Sequence, residues 1–438
     1  MKARRSPQLI LQEQLSALRS SALTRRFLKL LGWSTVATFV DRAAVLGSIF
    51  ICARLVDGEE FGRWGVAQSA VTAMQVFIVL GGAVLVYRFI PEFIGKAPYI
   101  AVSVLRLNLL LLTVGWISIV ALLFVWATPV ADGLFHEASS GLLILLLSGW
   151  LGASGLSTLF QATLFALEDG RSLAVTGLVA GLLSMILIPV GAIYFGYLGM
   201  MGGVLATESV RSVLYLKRID SRFAELGQKL IGSITRDAWR RFFRFGLPVF
   251  LQSLLYAPVL ALAQFIVLRR HPNSLEEIGA FNYSMIFFSA ALLVAGKMNQ
   301  AAMPIMSSLA AESTTDRLTG VVQKVATIQV LAAVVMALPI ALLAPIVMPP
   351  SYAEQWPVLV VLMATAIVVS AQTVFSNGLL VINRQVVVAT SVVPWAILLL
   401  LTVSMFEFGA LSIACGLLIG GLARTAMLWF ALRRWMMR

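Results

Sequence analysis

Long apolar runs broken by short polar and charged segments dominate the chain. A run of about 20 residues crosses a hydrocarbon core of roughly 30 Å as an α-helix, which satisfies its own backbone hydrogen bonds where water cannot. Such runs fall near residues 31–53, 64–87, 105–127, 142–166, 173–195, 198–216, 246–268, 279–301, 325–347, 357–381, 386–406 and 409–431. They predict an all-α integral membrane protein with twelve transmembrane helices.

The breaks between the runs repeat. Arg25-Arg26-Phe27 before the first span is echoed by Arg240-Arg241-Phe242 before the seventh. Glu59-Glu60-Phe61-Gly62 returns as Glu276-Glu277-Ile278-Gly279, 217 residues on, and Phe160 with Leu164 returns as Phe375 with Leu379, 215 on. Phe195-Gly196, Leu198, Gly203 and Arg211 recur as Phe408-Gly409, Leu411, Gly416 and Arg424, at a constant 213. Weak echoes in one order at nearly one period indicate an internal duplication. Six spans per repeat is an even number, so the halves enter the membrane from the same side and are related by an axis along its normal. The expected plan is two parallel-related six-helix lobes around a central cavity: an N-lobe over 30–216 and a C-lobe over 245–438, joined by a basic cytoplasmic linker, 217–244. A basic cytoplasmic segment, 1–29, precedes them.

Composition agrees. At 60% hydrophobic and 12% charged residues, the chain is too apolar for an ordinary soluble domain. A net charge of +13 would suggest nucleic acid in a soluble protein, but here its placement is topological and no nucleic-acid partner is expected. With the N-terminus in the cytoplasm, Lys and Arg gather in cytoplasmic tails, loops and helix ends. The exceptions are Arg54, Arg63, Arg269 and Arg270 on the other side and Arg42 within the first span. The positive-inside rule therefore puts both termini in the cytoplasm. The first 29 residues lack the apolar core of a cleaved signal peptide. Leu11, Leu15, Leu18 and Ala22 at helical spacing read either as an amphipathic helix on the anionic inner leaflet or as part of a solvated basic tail.

Catalytic signals are absent from the sequence. His136 and His271 stand in loops without sequence partners, Cys52 and Cys415 read as buried free thiols, and no phosphate-binding Gly-rich loop occurs. Neither an enzyme, a metal site nor a cofactor is expected.

Polar residues inside spans carry the remaining information, because facing lipid is costly. Ser34, Thr38, Asp41 and Ser48 share a stripe, as do Gln68, Thr72 and Gln75. Span four offers Ser154, Ser157 and Gln161, span seven Ser253, Tyr256 and Gln264, and span ten Ser370, Thr373 and Asn377. Such stripes line a water-filled path or glue helices together. Asp41 and Arg42 lie midway along span one, out of snorkelling range. Arg42 fits a cavity-lining cation and Asp41 a proton or sodium coupling site; a structural contact with a neighbouring helix is the alternative. Glu208 and Arg211, three apart, fit a structural ion pair. Lys297 lies near the cytoplasmic end of span eight, as a snorkelling residue or a cavity cation. Pro189, Pro248, Pro258, Pro339, Pro345 and Pro394 fall within spans, where they bend helices statically or between states. Gly177 with Gly181, Gly199 with Gly203 and Gly416 with Gly420 let helices approach closely.

The stretch Ala53-Arg54-Leu55-Val56-Asp57-Gly58-Glu59-Glu60-Phe61-Gly62, then Gly81-Gly82 and Tyr87-Arg88-Phe89-Ile90-Pro91-Glu92, resembles the opening of the polysaccharide transporter, or O-antigen flippase, family. Leu164-Phe165-Ala166-Leu167-Glu168-Asp169-Gly170-Arg171 resembles it also. That family belongs to the multidrug/oligosaccharidyl-lipid/polysaccharide exporter superfamily. The resemblance implies a flippase carrying an undecaprenyl-pyrophosphate-linked oligosaccharide across the bacterial cytoplasmic membrane by alternating access, for O-antigen, exopolysaccharide or capsule synthesis. It also implies a cationic central cavity, for which Arg42, Arg54, Arg88 and Lys297 are candidates, with Gln68, Gln75 and Gln264 as polar lining. Membrane lipids, a polysaccharide polymerase and chain-length or export proteins are the implied partners. Ala257-Pro258-Val259 replaces the charged pair of span one in the second half, so the lining is asymmetric. A multidrug and toxin extrusion antiporter shares the fold but calls for an acidic, aromatic cavity. A non-transporting scaffold of a polysaccharide-assembly complex is a further reading.

Overall fold

The structure is a computed structural model that describes residues 43–135, 141–247, 250, 254–270, 274–311, 315–382 and 384–436. Among these residues there is no β-strand. The helices are α1 (Ala43–Leu55), α2 (Gly58–Val79), α3 (Gly82–Phe93), α4 (Pro98–Val125), α5 (Ala127–Phe135), α6 (Gly141–Ala166), α7 (Gly170–Ala224) and α8 (Arg236–Arg241). They continue as α9 (Ala257–Arg270), α10 (Ser274–Ala311), α11 (Thr315–Leu342), α12 (Ala344–Val347), α13 (Trp356–Val381), α14 (Gln385–Thr390), α15 (Val392–Met405) and α16 (Ala410–Met436).

Seven helical stretches among the described residues are long and apolar enough to cross a membrane. The difference from twelve has local causes. The 55 residues of α7 include Phe195 (φ −137°, ψ 15°) and Gly196 (φ 57°, ψ −140°), where the chain reverses and two expected spans meet. The second expected span is divided at Leu80 (φ 47°) and Gly81 (φ 74°), and Gln68 and Gln75 dilute the hydropathy of α2. Parts of the first and seventh expected spans lie outside the described residues.

The duplication seen in the sequence has an atomic counterpart. The Glu60 carboxylate accepts from the Tyr197 N–H at 2.8 Å, and the Glu277 carboxylate accepts from the Ala410 N–H at 3.1 Å. Each acid satisfies a donor at the start of a helix, where the N-terminal dipole favours negative charge. Each is preceded there by a glycine in the left-handed region, Gly196 (φ 57°) and Gly409 (φ 54°), where a Cβ would strike that same carboxylate. Glu60→Ala leaves the Tyr197 N–H without its acceptor and removes one partner of Arg63, so a loss of about 1–3 kcal/mol is expected. In detergent this should lower Tm by about 2–5 °C. Glu60→Gln keeps an acceptor oxygen and should recover most of the loss; a Tm for Glu60→Ala equal to wild type would refute the cap.

At the ends of α6 and α7, Asp169 caps α7 through the Ser172 N–H at 3.1 Å and meets Arg218 at 2.6 Å. Burial alone would raise its carboxyl, but hydrogen bonds from Arg218 and Ser172, with the Arg218 charge, hold it below the usual range. The Glu168-Asp169-Gly170 motif is thus a clamp between the two arms of α7. Arg106 of α4 donates to the carbonyls of Leu230 (3.0 Å) and Ser233 (2.9 Å), fixing the segment that follows α7.

One hydrophobic core runs from Ile49 to Leu417 and joins the two halves of the sequence; two others lie wholly within 86–223 and 306–432. The halves meet where α2 packs on α10.

Candidate functional site

A cavity of about 340 Å³ lies among α1, α2, α6 and α7. The polar stripe of α2 faces it with Gln68, Thr72 and Gln75, that of α6 with Ser154, Ser157, Thr158 and Gln161, and the second arm of α7 with Thr207, Glu208 and Arg211. Gln75 is held in place: its amide N–H donates to the Ser154 carbonyl at 3.1 Å and to Thr158 Oγ1 at 2.9 Å. Arg211 and Glu208 pair at 3.1 Å, with both side chains largely buried. Ser212 Oγ donates to the Ala153 carbonyl at 3.1 Å and ties this arm of α7 to α6. Trp64 and Trp150 also lie in the walls, both almost wholly buried.

Of the candidates named from sequence, the structure brings Gln68, Gln75, Glu208 and Arg211 together on these walls. Arg54 is not among them; it is exposed and lies over the Phe50 ring at 3.9 Å. Gln264 is buried in α9, in the other half of the sequence, with its Oε1 lacking a hydrogen-bond partner among the described residues. Arg88 lies in α3 and Lys297 in α10, with their side chains outside the described set, and Asp41 and Arg42 lie outside the described residues altogether. The indoles of Trp64 and Trp150 were not singled out from sequence, because an aromatic residue in an apolar run gives no polar signal. Among the described residues no group of three or more His, Cys, Asp or Glu is placed to hold a metal ion.

The second half does not copy this chemistry. Arg424, the counterpart of Arg211, is buried and donates from Nε to Ser391 Oγ at 3.2 Å. The position matching Glu208 is Gly421. The opening lined by Tyr256, Gln372 and Trp395 in this half holds about 10 Å³, room for a single water.

Where α2 meets α10 the two backbones nearly touch. A Cβ on Gly62 would collide with the Leu275 carbonyl, and one on its counterpart Gly279 would lie 2.6 Å from Tyr352 Oη and 3.2 Å from the Gly58 carbonyl. Tyr352 donates to that Gly58 carbonyl at 3.0 Å, and Ser69 donates to Asn282 Oδ1 at 3.4 Å. Phe61 packs against Tyr283 and Tyr352, with ring centroids 6.2 and 6.0 Å away. The contact pairs equivalent positions of the two repeats at the N-terminal end of α2.

A family model described as polysaccharide biosynthesis protein matches residues 27–310. No curated protein matches the chain. Among solved structures, an inward-facing conformation of a multidrug resistance MATE family transporter of the MOP superfamily superposes with a TM-score of 0.73 at 14% identity, covering 92% of this chain and 98% of that one. An outward-facing conformation under the same description gives 0.66 at 14% identity, covering 96% and 97%. Lipid II flippase MurJ in an inward closed conformation gives 0.68 at 14% identity, covering 91% and 87%. At such identities the likeness establishes the fold alone, one that these membrane transporters share.

Proposed function

The chain belongs to the polysaccharide biosynthesis protein family, and from that premise we propose that it is a flippase for a lipid-linked oligosaccharide. The family match over 27–310 is the observation that carries this reading. The cargo is an undecaprenyl-pyrophosphate-linked glycan, moved from the inner to the outer leaflet of the bacterial cytoplasmic membrane. Twelve helices in two parallel-related lobes, 30–216 and 245–438, rock about their contact, with both termini and the 217–244 linker cytoplasmic. The α2–α10 contact is the closed side of that cycle, and the likeness to inward-facing and inward closed transporters supports this assignment. Arg42 and Arg54, with Arg88 and Lys297, supply positive charge for the pyrophosphate, since guanidinium groups match phosphate oxygens in pairs. A proton or sodium gradient drives the cycle through Asp41. A polysaccharide polymerase and chain-length proteins receive the product.

Reconstituted liposomes carrying a fluorescent undecaprenyl-pyrophosphate oligosaccharide test the proposal through dye protection from a membrane-impermeant reductant. Wild-type protein should equilibrate the label between leaflets. Losing a charge-assisted contact of about 1.5–3 kcal/mol should slow Arg42→Ala roughly tenfold or more. Liposomes that extrude a cationic dye against a proton gradient but leave the lipid-linked sugar unmoved would instead establish a multidrug and toxin extrusion activity. Export at the wild-type rate by Arg42→Ala would remove that residue's assigned role.

A further inference from the structure

We propose that the cavity among α2, α6 and α7 is a binding site for a neutral sugar ring. The inference rests on the flippase reading for its cargo, because the ring would belong to the lipid-linked glycan, but it is argued from the walls of the cavity. At about 340 Å³ the space is in the lower part of the range of small-molecule sites, roughly 300–1,000 Å³, and far exceeds the roughly 10–15 Å³ that one water requires. Among the described residues, the opening at the matching place in the second half is about 10 Å³.

A pyranose presents a rim of hydroxyls, each both donor and acceptor, around faces of C–H groups. The cavity offers the complement. Side-chain amides carry a donor and an acceptor in one plane, and three of them, on Gln68, Gln75 and Gln161, line it together with serine and threonine hydroxyls. Val45, Phe165 and Val204, each half-buried, give it apolar wall.

Charge separates a sugar from an ion. Glu208 and Arg211 meet at 3.1 Å, so the wall is neutral as a pair. A metal cation entering beside Glu208 would compete with a guanidinium already seated there, and an anion beside Arg211 would face a carboxylate. A polyol meets neither conflict and can bond to both groups at once. Gln68 and Gln161 on the walls await a partner: neither side chain bonds to another described residue, and neither is fully buried. A ring hydroxyl can donate to the carbonyl oxygen of such an amide and accept from its N–H. The Gln75 amide, anchored to Ser154 and Thr158, is already oriented.

Purified protein in nanodiscs is titrated with glucose, galactose, rhamnose, N-acetylglucosamine and glucuronic acid, and separately with sugar-free undecaprenyl pyrophosphate, following tryptophan fluorescence. At least one neutral sugar should produce a saturable change. Gln68→Ala and Gln161→Ala, which remove side chains that bond to no other described residue, should each weaken that sugar about tenfold while binding the pyrophosphate carrier as wild type does. The proposal is overturned if the carrier binds but no neutral sugar does, if both variants bind the sugar as wild type does, or if glucuronic acid is the tightest ligand; in each of these the flippase reading stands. Sugar binding that both variants weaken, in a protein to which the carrier does not bind, would keep this site and remove the flippase reading.

Discussion

Gly62→Val is expected to leave the protein folded and inserted but to cut transport about 100-fold. The reason lies in the α2–α10 crossing, where a Cβ at position 62 meets the Leu275 main chain rather than the end of a flexible side chain. No rotamer change relieves a clash with backbone, so the helices must separate. Separation also pulls the Gly58 carbonyl from Tyr352 and Asn282 from Ser69. Overpacking of this kind costs about 1–3 kcal/mol, and the cost falls on the state in which α2 and α10 touch. If each cycle must pass through that state, about 3 kcal/mol reduces its population roughly 100-fold. Tyr352→Phe, which loses one hydrogen bond of about 1 kcal/mol, should slow transport only about fivefold. Spin labels on Asp57→Cys and Glu276→Cys, residues flanking the crossing, report the opening as a longer distance in Gly62→Val. Wild-type flux through Gly62→Val would mean that this crossing is no part of the cycle.

The repeat shows what a sequence can and cannot say about such a contact. The echo of Glu59-Glu60-Phe61-Gly62 in Glu276-Glu277-Ile278-Gly279 was visible, as was that of Phe195-Gly196 in Phe408-Gly409. That each second glutamate caps the helix begun by its own Phe-Gly pair was not, since 137 and 133 residues separate the partners. Hydropathy likewise finds the thickness of a membrane rather than the ends of a helix. It places a start at 64 where α2 begins at Gly58, and a stop at 216 where α7 continues to Ala224. At the cavity, the polar stripes pointed to Gln68, Gln75 and Gln161 because amides in apolar runs stand out. Glu208 and Arg211 were legible as a pair, but their place on the cavity wall depends on how the second arm of α7 packs against α6. Arg54, chosen for charge and resemblance, rests on Phe50, since its position at the end of α1 leaves it exposed.

Gly199→Leu is expected to prevent the protein from accumulating. The two arms of α7 fold back at Phe195–Gly196, and their backbones come together at Gly191 and Gly199, each occupying the space where the other's Cβ would sit. One turn on, a Cβ at Gly203 would lie 2.7 Å from the Leu187 carbonyl and 2.8 Å from Ile188 Cα. Small residues at such crossings let dispersion and backbone contacts hold helices together in lipid, where no hydrophobic force draws them. A leucine at 199 must displace main chain within a few residues of the reversal, and the strain reaches the Tyr197 N–H that Glu60 caps. A cost above about 3 kcal/mol is expected, a large share of the stability of a folded domain. Gly202 is the control: a Cβ there has nothing within 4 Å, so Gly202→Leu should accumulate as wild type does. Fluorescence-detected size-exclusion chromatography of tagged variants reads both. A monodisperse Gly199→Leu peak of wild-type height would show that the arms of α7 do not need this approach, whereas loss of Gly199→Leu alone ties the fold to the one glycine pair that lets the two spans pack.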